Sequence, residues 1–171
     1  MMASIAEINR MNQRQFVGFL GAVFENSPWI AAAAWKTGPF GSAAELHGAM
    51  MNVVLESKSD VRLELLRAHP DLGTRLAVAE LSALEQRGAG LSELTEAEYT
   101  IFLTGNQRYV QKFGFPYILA VRGKSKADIL ADMEARMTNS AAEEMERALL
   151  EVGRITSFRV YDLITAIEER S

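Results

Sequence analysis

Residues 95–121 read "TEAEYTIFLTGNQRYVQKFGFPYILAV". Thr95 and Glu98 stand at capping-box spacing. The hydroxyl can accept from the third helical N–H, and the carboxylate can reach back to the cap. Phe102, Tyr109 and Phe113 then fall on one helical face. Pro116 disfavours helix at Phe115. The run at 115–121, "FPYILAV", is densely apolar without helical amphipathicity, and Gly123 follows closely. The stretch therefore predicts a long helix and then an extended, largely buried segment. Outside a sheet, the N–H and C=O groups of such a segment need other partners. A bound polar ligand could supply some, and a short connection packed on the core is the plainer alternative.

The same helix signals recur in both directions. Ser42-Ala-Ala-Glu45 and Ser140-Ala-Ala-Glu143 have capping-box spacing, and Ser125-Lys-Ala-Asp128 is a weaker version. Ser27-Pro28 reads as a cap followed by proline in the first turn, where the missing donor costs nothing. Leu46, Met50, Val53 and Val54 share a face. So do Ile129, Met133 and Met137, and the last segment carries a stripe of Met145, Leu149, Val152, Ile155 and Leu163. Short loops carry Thr37-Gly-Pro-Phe-Gly41 and Arg87-Gly-Ala-Gly90. No repeat, low-complexity tract or linker divides the chain. The expected fold class is all-α: a single domain over residues 1–171, a bundle of about seven to eight helices, with one extended buried segment near 115–121.

Composition narrows the function classes. The chain has 171 residues, 49% of them hydrophobic, which suits one domain with a sizeable core. With a net charge of -4 there is no basic field for a nucleic acid backbone, so no nucleic acid partner is expected. Cysteine is absent, which rules out disulfides, thiolate metal sites and a cysteine nucleophile. No apolar run approaches the ~20 residues needed to span a bilayer, so no membrane partner is expected. The start "MMASIAEINR" lacks the features of a secretory leader, and the end is not the peroxisomal tripeptide. A cytoplasmic location is the expectation.

Few residues stand out chemically. In "LRAHPDLGTR", residues 66–75, a helical stretch runs into His69 and stops at Pro70. A histidine near a helix C-terminus can simply gain from the helix dipole. It can equally act as an acid/base, with a reference pKa of about 6.5, held in direction by the rigid Pro70. His47 lies on a helix without such context and reads as a surface or boundary residue. In "ELSALEQRGAG", residues 80–90, Ser82, Glu85 and Gln86 sit at i, i+3 and i+4 and share one face. They form either a solvated surface or a clamp for a small, hydrogen-bond-rich molecule. Arg159, in "ITSFRVYDLI", has apolar neighbours, and a buried guanidinium needs an anionic or multiply accepting partner. Asp162 at i+3 could serve, or a substrate carboxylate could. Two histidines 22 positions apart, with no His-x-x-x-His or Glu-x-x-His pair, give no recognisable metal set. Glycine-rich nucleotide loops and a Gly-x-Ser-x-Gly elbow are missing too.

Four segments acquire a joint meaning: "HPDLG" at 69–73, "EQRGAGL" at 85–91, "FGFPYILAVRGKSKADIL" at 113–130 and "RITSFRVYDLI" at 154–164. In this order and at these spacings the chain, from about Asn9 to Ile167, resembles the 2-oxo-4-hydroxy-4-carboxy-5-ureidoimidazoline (OHCU) decarboxylases. The resemblance implies cofactor-free decarboxylation of OHCU to (S)-allantoin in urate catabolism. The alternative is a family member that acts on, or only binds, a different ureido or imidazoline compound. It implies His69, Glu85 and Arg159 as catalytic residues. It also implies substrate binding by Pro70, Ser82, Gln86 and the segment Tyr117, Ile118, Leu119, Ala120 and Val121, partly through the main chain. The implied partner is a small-molecule substrate, and the implied assembly a homodimer; no metal or cofactor is implied.

The chain departs from the family in two places. The stretch between His69 and Glu85 is about one helical turn shorter than in many relatives, which could shift Ser82. The usual leucine before Asn106 is Gly105. His-Pro-Asp also marks J-domain co-chaperones, but there a strongly basic helix precedes it, whereas residues 61–68 here are "VRLELLRA". A helical interaction protein without chemistry would leave all four segments unexplained.

Overall fold

The computed structural model describes residues 2–70 and 95–164. Eight helices run through the described residues. They are α1 (Ile5–Asn9), α2 (Gln13–Leu20), α3 (Pro28–Trp35), α4 (Ala43–Glu56), α5 (Ser59–Ala68), α6 (Glu96–Phe113), α7 (Lys126–Arg136) and α8 (Ala141–Asp162). The fold is all-α, and the described residues form no sheet. An isolated parallel bridge joins Ala3 to Ile164. The chain comprises two compact units, Met1–Leu65 with Gly153–Ser171, and Leu66–Val152, so the division falls inside α5 and α8.

In the first unit, Phe16, Leu20, Ile30, Ala34, Leu46, Met50 and Val54 are buried, and Val53 is half-buried. Phe40 stacks on Phe16 at 6.0 Å between ring centroids. Asn9 fixes the 37–41 loop by donating to the Phe40 carbonyl and accepting from its N–H, both at 2.8 Å. Ser42 accepts from Glu45 N–H at 3.1 Å, but the Glu45 carboxylate reaches past the cap to Gly41 N–H. Ser27 makes no side-chain cap. Its hydroxyl donates to the Glu25 carbonyl at 2.9 Å, and Pro28 alone opens α3. Asn12 and Gln15 form a capping box for α2.

In the second unit, Thr95 and Glu98 bond reciprocally at the start of α6. Ser125 and Asp128 do the same for α7, and Ser140 and Glu143 for α8. Helix α6 ends at Gly114, whose φ of +83° is the left-handed conformation that glycine adopts without steric penalty. Phe102, Tyr109, Ile129, Met133, Ala148, Leu149 and Val152 are buried. Gly105 lies against Met133, where a Cβ would fall 2.4 Å from the sulfur. A leucine at 105 would need that thioether moved. Residues 116–121 form neither helix nor ladder, while Phe115 and Tyr117–Val121 are all buried. The extended buried segment expected from the sequence is therefore present.

Candidate active site

Helix α5 ends where the sequence predicts. His69 N–H bonds the Leu66 carbonyl at 3.2 Å, and Pro70 follows without a donor to extend the helix. The His69 side chain is buried, with only 6% of the residue exposed. Two residues earlier, Arg67 Nε donates to the Gly114 carbonyl at 3.0 Å. That bond ties the helix end that leads into His69 to the residue where α6 gives way to the 115–121 segment. Pro70 is half-buried.

The segment's polar groups are met mainly by side chains. Tyr117 N–H donates to Asn106 Oδ1 at 3.0 Å, and Ala120 N–H donates to Glu151 Oε1 at 3.0 Å. The Ile118 carbonyl accepts from Arg136 Nη1 at 2.8 Å, and the Val121 carbonyl accepts from Lys124 N–H at 3.0 Å. The Tyr117 hydroxyl donates to Asp132. Burial, and then that bond, hold the Tyr117 phenol above its usual range.

Behind the segment lies a buried ionic network. Arg136 Nε bonds Glu144 Oε1 at 2.8 Å, and its guanidinium lies 4.7 Å from the Tyr117 ring centroid. Glu144 also accepts from the Tyr109 hydroxyl and from Asn139 Nδ2. Burial, and then the bond to Glu144, raise the Tyr109 phenol above its usual range. Arg147 bridges Asp132 at 3.1 Å and Glu151 at 3.2 Å. Glu144 and Glu151 are completely buried. The sequence reading missed this network, although its signal is periodic. Arg136 continues the spacing of Ile129 and Met133, and Glu144 and Glu151 flank Ala148 at helical spacing. Asn106 lies between Phe102 and Tyr109 in the same way.

His69, Pro70 and Tyr117–Val121 belong to the second unit, and Arg159 belongs to the first. Arg159 is buried at 8% exposure. Its Nη1 donates to the Val23 carbonyl at 3.0 Å, and its Nη2 pairs with Glu25 at 2.8 Å. Glu25 therefore supplies the anionic partner that a buried guanidinium requires. Arg159 Nε is buried and meets no acceptor among the described residues. His47 is half-buried with Nε2 2.9 Å from the Thr156 hydroxyl, and burial lowers its pKa. Ser82, Glu85 and Gln86 lie outside the described residues. A cavity of about 490 Å³ between α6 and α7 is lined by Thr100, Ile101, Thr104, Arg108 and Leu130 among others, and contains none of the candidate residues. Among the described residues no group of three or more His, Cys, Asp or Glu is placed to hold a metal ion, and no helix is long and apolar enough to cross a membrane.

The sequence profile of the OHCU decarboxylases matches residues 9–161. The chain belongs to the OHCU decarboxylase family. A family member from Halalkalicoccus jeotgali, named 2-oxo-4-hydroxy-4-carboxy-5-ureidoimidazoline decarboxylase, is 41% identical over 94% of this chain and 91% of its own length. The uric acid degradation bifunctional protein PucL of Bacillus subtilis is 39% identical over 96% of this chain. The chain spans about a third of the length of that relative and of a second bifunctional protein from Bacillus sp.. Among solved structures, (S)-allantoin synthase superposes with a TM-score of 0.78 at 30% identity, over 95% of this chain and 54% of that one. An OHCU decarboxylase crystallised in the presence of (S)-allantoin shares the fold, with a TM-score of 0.68 at 22% identity.

Proposed function

We propose that the chain is a cofactor-free OHCU decarboxylase that forms (S)-allantoin in urate degradation, working as a single-domain cytoplasmic homodimer. The observation that carries this reading is the placement of His69. The family's acid/base candidate is a buried side chain at a proline-stopped helix end, and Arg67 ties that end to the start of the 115–121 segment.

The substrate has a carboxylate and a hydroxyl on one ring carbon, beside an imine carbon that bears the ureido group. When the bond to the carboxylate breaks, its electron pair moves into the ring toward the imine nitrogen. Carbon dioxide leaves and the imine nitrogen takes up a proton; the hydroxyl then gives up its proton to become the ring carbonyl as the ureido-bearing carbon takes one up. The substrate thus contains its own electron sink, and the protein's tasks are orientation, proton transfer and charge placement. His69 is the acid/base acting at the hydroxyl-bearing carbon. Glu85 orients or charge-balances the imidazole. Arg159 holds the anionic substrate through the donor capacity that Val23 and Glu25 leave open, its buried Nε included. Pro70 fixes the direction of His69, Ser82 and Gln86 bind ring and ureido groups, and the main chain of Tyr117–Val121 recognises the amides. Protonation from one face gives one enantiomer.

The test generates the unstable substrate in place from urate, with urate oxidase and hydroxyisourate hydrolase, and follows circular dichroism. Rapid appearance of one allantoin enantiomer, lost in His69→Ala, is the expected result. Slow racemic product, no faster than without the protein, overturns the proposal.

A further inference from the structure

We propose that Glu151 is a positioning residue that sets the main chain of the 117–121 segment for substrate recognition. The inference rests on the functional reading above, in which that main chain binds the substrate's amide groups. Starting from Ala120 N–H, a chain of bonds runs to Glu151, from Glu151 to Arg147, from Arg147 to Asp132, and from Asp132 to the Tyr117 hydroxyl. The polypeptide from Tyr117 to Ala120 closes the ring. One circuit of charge-assisted bonds thus grips the segment at both ends, while Arg136 holds the Ile118 carbonyl between them.

The ion pair with Arg147 is not by itself a reason for a carboxylate at this position. Glu151 is completely buried, and its partner Arg147 is about one-third exposed. A buried ion pair is often matched or bettered by apolar groups of the same volume. What an apolar group cannot do is accept from Ala120 N–H, in a segment where no ladder fixes the backbone. Linked polar networks of this kind rigidify the groups they satisfy, and a main chain fixed beforehand loses less freedom on binding. Glu151 acts on the reaction through the segment and does not touch the substrate.

The experiment compares Glu151→Gln with Glu151→Leu in the coupled allantoin assay, with the folded fraction of each established by circular dichroism. Glutamine keeps an acceptor for Ala120 N–H and leucine does not. Because the amide groups that the segment binds are neither made nor broken in the reaction, the loss should fall on binding. KM of the leucine variant should rise about tenfold with kcat per folded molecule within about twofold, and the glutamine variant should stay within about threefold of the parent KM. Unchanged KM in folded Glu151→Leu overturns the proposal, as does a glutamine variant as impaired as leucine. If Glu151→Leu does not fold, Arg147→Met opens the ring one bond away and should raise KM about threefold; no change there refutes the ring. Amide exchange at Ala120, followed by NMR, needs no turnover. It should be about 100-fold faster in Glu151→Leu than in the parent and near the parent rate in Glu151→Gln. A parent chain without turnover sinks the functional reading alone. Exchange then decides the role of Glu151, and equal protection in all three proteins overturns it.

Discussion

Arg136→Met removes the cation at the centre of the buried network and keeps an unbranched apolar stem only as far as about the Nε position. The guanidinium is 2% exposed and bonds Glu144 and the Ile118 carbonyl, each at 2.8 Å. Breaking a buried pair by removing one partner typically costs about 3–5 kcal/mol. Glu144 keeps two donors, Tyr109 and Asn139, so the lower end of about 3 kcal/mol applies. The orphaned Ile118 carbonyl adds about 1 kcal/mol. The sum, about 4 kcal/mol, corresponds to a fall in Tm of roughly 12 °C for a chain of this size. Urea denaturation read by circular dichroism measures it. The distinguishing quantity is the coupling with Glu144→Gln, which keeps an acceptor for Tyr109 and removes the charge. Adding it to Arg136→Met should recover about 2 kcal/mol, because the buried carboxylate no longer stands uncompensated. A cost under about 1 kcal/mol for Arg136→Met, or strict additivity of the two changes, refutes the reasoning.

His69→Ala should abolish turnover while retaining the helical circular dichroism spectrum; near-normal activity would exclude it as the acid/base. Arg159→Ala should chiefly raise KM, and it should also lower Tm by leaving the Val23 carbonyl without its donor. An unchanged KM argues against a carboxylate clamp. Burial lowers the His47 pKa, so the unfolded chain takes up a proton at His47 at higher pH than the folded chain does. That contribution to stability is fully present above the unfolded value of about 6.5 and declines as pH falls from there toward the folded pKa. His47→Gln should therefore flatten the Tm profile between about pH 7 and 5 relative to the parent; identical slopes would contradict it. Thr95→Ala should cost about 1 kcal/mol through loss of the α6 cap, measured by the same denaturation.

Helix starts were legible in the sequence because their chemistry is local. Thr95 with Glu98 and Ser140 with Glu143 need only three-residue spacing, and the shorter Asp128 closes its box as well. Two details at helix starts escaped because a neighbouring acceptor or donor won. Ser27 turns back to the Glu25 carbonyl, and Glu45 reaches Gly41. The buried segment was legible from Pro116 and its unbroken apolar run. Its partners were not, since Asn106, Arg136 and Glu151 lie 11 to 31 positions away and only tertiary packing brings them in. For the same reason the sequence pointed to a partner for Arg159 near it on α8, while the structure supplies Glu25 from the loop before α3. Of the candidate site, the end of α5 was readable at residue level. Ser82, Glu85 and Gln86 stand on the sequence pattern, outside the described residues.

An all-helical chain has little main chain to offer a ligand. Within a helix each N–H and C=O is consumed by its neighbour four residues away, so only helix ends and irregular segments can present backbone groups. A substrate rich in amide donors and acceptors therefore directs attention to those two places, where the candidate residues fall. His69 stands immediately beyond the end of α5, and Tyr117–Val121 stands between α6 and α7. The helix end is kept by a proline. The irregular segment lacks the ladder that would otherwise fix its backbone, and side chains from α6, α7 and α8 take over that task. On the proposed function, the buried charges of this unit are what allow a helical fold to hold out a fixed strip of peptide. Replacing them with apolar residues should leave the helices standing while the affinity for substrate falls.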